Sequence, residues 1–224
     1  MAAMDRMYRW QLSFYDFTRK PYLLGRDRLI ASLSPPPGAG VLEIGCGTGR
    51  NLIAAARRWP QARFYGFDVS SVMLAYAKNA VARADLSERI SLAQGDACTF
   101  EPRAAFNAPR FERIYFSYVL SMIPAWRDAL AAATDLLEPG ASLHVTDFGD
   151  QNGIPAIPRA ALRAWLSMFG VEPRLDMASE LSKLAAERGL QVECNQIYGG
   201  YAVIASLRRP ATPDKPSALT LQPA

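Results

Sequence analysis

Residues Val41–Gly49 read V-L-E-I-G-C-G-T-G, and a later apolar run closes on Tyr65-Gly66-Phe67-Asp68. No other feature limits the fold so tightly. An apolar strand enters a turn carrying Gly45, Gly47 and Gly49, a helix follows, and a second strand ends on a carboxylate. This is a βαβ unit with parallel strands, and such units hold nucleotide-like ligands at the carboxyl edge of the sheet. Glycines let the turn take positive φ and let a ligand approach the backbone. Asp68 at the tip of the second strand suits the two hydroxyls of a ribose.

The glycine spacing selects among such ligands. A dinucleotide fingerprint needs G-x-G-x-x-G, so that a pyrophosphate sits on the helix N-terminus. Here the spacing is G-x-G-x-G followed by Arg50, and Glu43 stands inside the strand two residues before the first glycine. A carboxylate in a buried strand is costly without a partner, so Glu43 calls for a cationic ligand or the amides of the loop. The pattern E-x-G-x-G-x-G resembles the S-adenosylmethionine loop of class I methyltransferases. That resemblance implies S-adenosylmethionine as cofactor, with Glu43, Gly45, Cys46, Gly47 and Gly49 around it. Cys46 reads as a small filler in the loop.

The rest of the chain continues the alternation. Strands are predicted over 41–45, 63–67, 90–94, 113–118 and 142–148, and helices over 50–59, 71–83 and 126–137. Residues 158–169 and 178–188 read as helices, and 190–197 with 201–207 as a terminal hairpin through Tyr198-Gly199-Gly200. Pro102 and Pro109 mark a loop. The prediction is a doubly wound α/β fold: a mostly parallel seven-stranded sheet with one antiparallel edge strand. Residues 1–34 form a helical lid or substrate segment, 35–208 the cofactor-binding domain, and 209–224, with four prolines, a disordered tail.

Composition narrows the class. At 224 residues and 50% hydrophobic, the chain suits one domain with a full core. It has no apolar run of transmembrane length and no signal-like N-terminal core. Cys46, Cys98 and Cys194 are too scattered for a disulfide framework or a metal site, so no metal is expected and a reducing cytoplasm is. A net charge of +4 without a lysine tract or RNA motif argues against nucleic acid. It fits an anionic membrane surface better.

Ligands of open α/β sheets sit outside the carboxyl ends of the strands. That rule gathers Asp68, Val69, Asp96, Ala97, Ser117, Tyr118 and Asp147. Asp68 would take the ribose, Asp96 and the Ala97 amide the adenine edge, and Val69 and Met73 its faces. His144, the single histidine, lies inside a strand and reads as packed. Asp147, at the strand end, is the better candidate to assist an amine in losing its proton.

The N-terminal segment is the second informative stretch. Tyr8, Tyr15 and Tyr22 recur at seven-residue spacing, and Met7, Trp10 and Phe14 lie beside Arg6 and Arg9. The first set would supply aromatic faces to a cation, the second an interfacial face. Leu162, Trp165, Leu166 and Phe169 show the same periodicity, with burial on the sheet as the expected fate.

Here the resemblance narrows. Tyr15-Asp16-Phe17-Thr18-Arg19-Lys20-Pro21-Tyr22-Leu23-Leu24-Gly25-Arg26-Asp27 is similar to the N-terminus of bacterial betaine-lipid N-methyltransferases, as are Ser121-Met122-Ile123-Pro124 and His144–Gln151. The family implies three methyl transfers to the amine of diacylglyceryl homoserine, giving the trimethylhomoserine lipid. The enzyme would be peripheral at the inner face of the cytoplasmic membrane. Tyr15, Tyr22, Tyr118 and Asp147 would surround the reacting amine. Tyr8, Arg19, Lys20 and Arg26 would hold the headgroup, arginine taking its carboxylate bidentately. The alternatives are a phosphatidylethanolamine or other small-amine N-methyltransferase, and a non-catalytic subunit that binds S-adenosylmethionine. Oligomeric state is not legible.

Overall fold

The computed structural model describes residues 23–211. Its first element, α1 (Arg26–Ser32), starts after Gly25 and stops before Pro35-Pro36-Pro37, which cannot continue a helix. Then come β1 (Gly40–Ile44), α2 (Arg50–Arg58), β2 (Arg63–Asp68), α3 (Ser71–Arg83) and β3 (Ile90–Gln94). A short α4 (Pro102–Phe106) precedes β4 (Phe111–Ser117) and a 3₁₀ turn at Leu120–Met122. The chain continues through α5 (Trp126–Asp135), β5 (Leu137–Phe148), α6 (Ala156–Ser167), α7 (Met177–Arg188), β6 (Gln191–Ile197) and β7 (Ala202–Arg208).

The seven strands lie in the order β3-β2-β1-β4-β5-β7-β6. The pairs from β3 across to β5 are parallel, and β7 runs antiparallel to both β5 and β6. The terminal hairpin thus slots its second strand against β5 and leaves its first outside. Strand order reverses between β1 and β4, and a crevice opens at that switch point.

Both faces of the sheet are covered, so the central strands are apolar throughout rather than alternating. In β4, Ile114, Tyr115 and Phe116 are all 0% exposed. Ile114 and Phe116 pack with Leu42, Phe67, Leu143 and Trp126 on one face, and Tyr115 with Leu29, Leu52 and Phe64 on the other. Burying each such side chain contributes about 1.5–3 kcal/mol. A third cluster of Tyr118, Phe148, Leu166, Val171 and Ala202 lies beyond the carboxyl edge. Leu162, Trp165 and Phe169 pack on it, so the apolar stripe of α6 is mostly turned inward.

Several boundaries differ from expectation for physical reasons. Pro102 at the start of α4 nucleates a turn where a loop was predicted, since its fixed φ suits a first helical position. The stretch Glu138-Pro139-Gly140, between the helix expected over 126–137 and the strand expected over 142–148, is an excursion within β5: the register against β4 shifts between Phe111 and Arg113. Backbone bonding also runs past β7. The Arg209 N–H donates to Ala141 O at 2.9 Å, and Pro210 O accepts from Gly140 N–H at 3.3 Å. The start of the expected tail is therefore bonded to β5, and the remainder lies outside the described residues. So does most of the expected N-terminal helical segment.

Candidate cofactor cleft

The cleft is built on the turn after β1. Gly45 has φ 71°, and a Cβ there would come within 2.4 Å of Val119 Cγ2. Only glycine lets the segment after β4 close over the turn. Gly45 N–H and Cys46 N–H both donate to Phe67 O, at 2.9 and 3.0 Å, tying the turn to the end of β2. Gly47 N–H donates to Asp68 Oδ2 at 2.8 Å, and Ser70 N–H to Asp68 Oδ1 at 2.9 Å. The carboxylate is thus fixed at the strand tip, and each of its oxygens can accept more than one hydrogen bond.

Two compartments open from this point. The outer one is lined by Phe67, Val69, Gly95, Asp96, Ala97, Ile123 and Pro124; the inner one by Leu23, Arg26, Cys46, Gly47, Arg50, Asn51, Met73, Ser117 and Tyr118. Gly45, Asp68, Val119 and Met122 line both, which makes them one continuous cleft. Asp96 is held by the Cys98 N–H, which donates to its Oδ1 at 2.8 Å. An apolar outer half with Asp68 and Asp96 at its polar edge fits an adenosine, and a narrower, more polar inner half fits an amino-acid arm.

The expected residues divide into four groups. Gly45, Cys46, Gly47, Asp68, Val69, Met73, Asp96, Ala97, Ser117, Tyr118 and Arg26 line the cleft. Gly49, at φ 76°, caps the start of α2 just behind it. Tyr8, Tyr15, Arg19, Lys20 and Tyr22 lie outside the described residues. Glu43 and Asp147 are the corrections.

Glu43 is 1% exposed and does not line the cleft. Its Oε1 accepts from Asn51 Nδ2 at 2.8 Å and its Oε2 from Tyr115 OH at 3.1 Å. Burial raises its pKa to about 8, against the pull of those two donors. The partner a buried carboxyl needs thus comes from the protein rather than from a ligand.

Asp147 is 0% exposed. Its oxygens accept from the backbone N–H groups of Phe148, at 2.8 Å, and Ser121, at 3.1 Å. Burial raises its pKa. It pins the turn after β4 to the end of β5, and it lines neither compartment. The base role expected for it does not fit this position.

Tyr118 sits at φ 56°, a conformation that turns its ring out of the strand. The ring meets Phe148 edge-on, with centroids 4.8 Å apart, and its hydroxyl donates to Leu24 O. Burial, with Asp147 nearby, pushes its pKa further up. Cys46 is 5% exposed and its thiol is likewise pushed up by burial, in keeping with a filler. His144 is held between Ser32 Oγ at 3.2 Å and Ser142 Oγ at 2.8 Å, and burial lowers its pKa to about 4.

Sequence reasoning missed Asn51, Val119, Met122, Ile123 and Pro124. A signal existed for Asn51: it is the second residue of the helix that the glycine turn opens. The rest follow β4, and only the switch in strand order brings them over β1.

Residues 41–140, 100 of the 224, match the family described as a methyltransferase domain. The trans-aconitate 2-methyltransferase of Streptomyces avermitilis is 35% identical over 109 residues, covering 49% of this chain and 39% of that protein. The chain spans roughly half the length of the curated relatives it matches. Among solved structures, the [4+2]-cyclase SpnF superimposes with a TM-score of 0.67 at 17% identity, covering 84% of this chain and 80% of that one. Phosphoethanolamine N-methyltransferase 2 of Haemonchus contortus, in complex with S-adenosylmethionine, gives 0.66 at 16% identity, covering 83% and 52%. Over residues 41–140 the chain matches a methyltransferase domain, the fold is that of class I methyltransferase structures, and S-adenosylmethionine is the cofactor this cleft fits.

Proposed function

We propose that the protein uses S-adenosylmethionine to methylate the amine of diacylglyceryl homoserine three times, at a membrane surface. The observation that carries this reading is the inner end of the cleft, where Leu23, Arg26 and Tyr118 meet. Leu23 and Arg26 belong to the N-terminal segment that resembles the betaine-lipid enzymes, and Tyr118 lies three residues before the Ser121–Pro124 segment. The Arg26 side chain is 16% exposed and pairs with Asp27, itself 87% exposed, at 3.1 Å. So exposed a partner holds the guanidinium weakly, and a headgroup carboxylate can take its place bidentately. The Tyr118 ring offers an aromatic face to a nitrogen that loses its N–H groups as methyls accumulate.

The surface around the cleft supports a lipid acceptor. Six large apolar side chains are exposed among the described residues: Leu24, Tyr76, Ile157, Met168, Leu175 and Tyr198. All but Tyr76 belong to segments at the carboxyl edge of the sheet, where the cleft opens. No helix among the described residues is long and apolar enough to cross a membrane, so contact would be by docking.

When bound, S-adenosylmethionine supplies an electrophilic methyl group. The chain's contribution is alignment, which can be worth roughly 7–11 kcal/mol. Asp68 is the one carboxylate lining the inner compartment, and it is fixed by two backbone amides. The Tyr118 hydroxyl is committed to Leu24 O. The described residues therefore favour an amine that enters already neutral. Among them no three metal-ligating side chains come together.

A fold shared with a cyclase does not fix the reaction, so the test is chemical. Lipids from a host that makes the homoserine lipid should gain the trimethylated species when this chain is expressed. Methylated phosphatidylethanolamine instead would favour the small-amine alternative. An unchanged lipid profile with S-adenosylmethionine still bound would favour a non-catalytic subunit.

A further inference from the structure

We infer that Asn51 receives the ammonium group of the cofactor's amino-acid arm, and that buried Glu43 is the positioning residue that aims it. The inference rests on the S-adenosylmethionine reading of the cleft and goes beyond it to two side chains with coupled tasks.

The starting point is the N-terminus of α2. Its cap residue is Gly49, which has no side chain to accept from the first helical amides. Glu43, in the neighbouring strand, holds the second helical residue by its side chain instead, accepting from Asn51 Nδ2 at 2.8 Å. Its other oxygen is occupied by the hydroxyl of Tyr115, its register partner across β1 and β4. Two donors, one from α2 and one from β4, hold the carboxyl in place behind the cleft wall.

That lock decides which end of the Asn51 amide meets the ligand. With Nδ2 turned toward Glu43 and one of its two N–H groups held there, the carbonyl Oδ1 is the acceptor that Asn51 can offer the inner compartment, which it lines. A carbonyl oxygen accepts from an ammonium and repels a carboxylate. A second observation points the same way. Ser117 lines this compartment from the end of β4, and its Oγ is buried without a hydrogen-bond partner among the described residues. An unsatisfied buried hydroxyl costs about 1–3 kcal/mol, and a donor entering between Asn51 and Ser117 would remove that cost. Neither residue lines the adenosine half, whose polar edge is carried by Asp96 and the Ala97 amide, with Asp68 at the junction of the two halves.

Calorimetry on the full chain with two ligands tests this. S-adenosylmethionine has the amino-acid arm; 5′-methylthioadenosine has the same adenosine and sulfur but no arm. Asn51→Ala should weaken S-adenosylmethionine roughly tenfold or more, the scale of a hydrogen bond to a charged group, and leave methylthioadenosine within about twofold. Glu43→Gln can still accept from Asn51 and should keep S-adenosylmethionine within about threefold of wild type. Glu43→Ala should lose the same selectivity as Asn51→Ala, and the double variant should lose no more, because the two act as one unit. Should Glu43→Ala fail to fold, Asn51→Ala and Glu43→Gln still decide the matter. Equal weakening of both ligands by Asn51→Ala, or of neither, would overturn the assignment. Loss of selectivity in Glu43→Gln as large as in Asn51→Ala would overturn the positioning role. Wild type that binds methylthioadenosine but not S-adenosylmethionine would sink the cofactor reading and this inference with it.

Discussion

Replacing Glu43 with Gln should stabilise the protein at neutral pH, by an amount that grows with pH. The Glu43 pKa is raised from an ordinary 4.5 to about 8 by burial. Between those values the unfolded chain has released a proton that the folded chain retains. Raising the pH therefore favours unfolding, and stability falls through the window. Each pH unit is worth about 1.4 kcal/mol, so at pH 7 the cost reaches roughly 3 kcal/mol. At 1% exposure, solvent gives little screening to reduce it. Glutamine carries no such cost and can keep the Asn51 and Tyr115 contacts. Urea unfolding of both proteins at pH 4, 6 and 8, followed by circular dichroism, reads the effect directly. Their difference in unfolding free energy should be constant below pH 4.5 and then widen in the variant's favour up to pH 8. A difference that does not change with pH would refute the reasoning.

Other expectations follow from the same geometry. Asp68→Ala removes the acceptor at the end of β2 and should weaken S-adenosylmethionine binding at least tenfold by calorimetry, since charge-assisted bonds contribute roughly 1.5–3 kcal/mol. Tyr118→Ala should slow the third methyl transfer more than the first, leaving mono- and dimethylated lipid on mass spectra. Tyr118→Phe, which keeps the ring and loses only the bond to Leu24 O, should be milder. His144 stays neutral in the folded chain down to about pH 4, whereas the unfolded imidazole takes up its proton below 6.5. Stability tied to His144 is thus lost as pH falls from 6.5 to 4, and His144→Gln should flatten that limb of the unfolding curve. Phe116→Ala, at a fully buried position on β4, should cost about 3–5 kcal/mol in chemical denaturation.

Much of the architecture was legible because its signals are local. Glycines at 45, 47 and 49 have a conformational reason to be there, and apolar runs ending at Asp68 and Ser117 mark strands by length and flanking turns. The strand-end rule also gathered Asp96, Ala97 and Ser117 at one cleft without any contact information. The sequence was silent where the outcome depends on how distant segments fold back. Asp147 stands at a strand end like the others, yet the turn at Leu120–Met122 presents its Ser121 amide to that carboxylate and removes it from the cleft. The need of Glu43 for a partner was readable, but that Asn51 and Tyr115 would meet it depends on the β1–α2 and β1–β4 packing. The placing of β7 between β5 and β6 follows from hairpin pairing that no spacing announces.

The central claim is most directly tested with the purified protein, vesicles containing diacylglyceryl homoserine, and methyl-labelled S-adenosylmethionine. Separation and mass spectrometry of the lipids would count the methyl groups transferred. The account predicts label in the homoserine lipid as mono-, di- and finally trimethylated product, with rates on anionic vesicles that fall as salt screens the surface. Label in phosphatidylethanolamine alone, or none in any lipid while S-adenosylmethionine still binds, would contradict it.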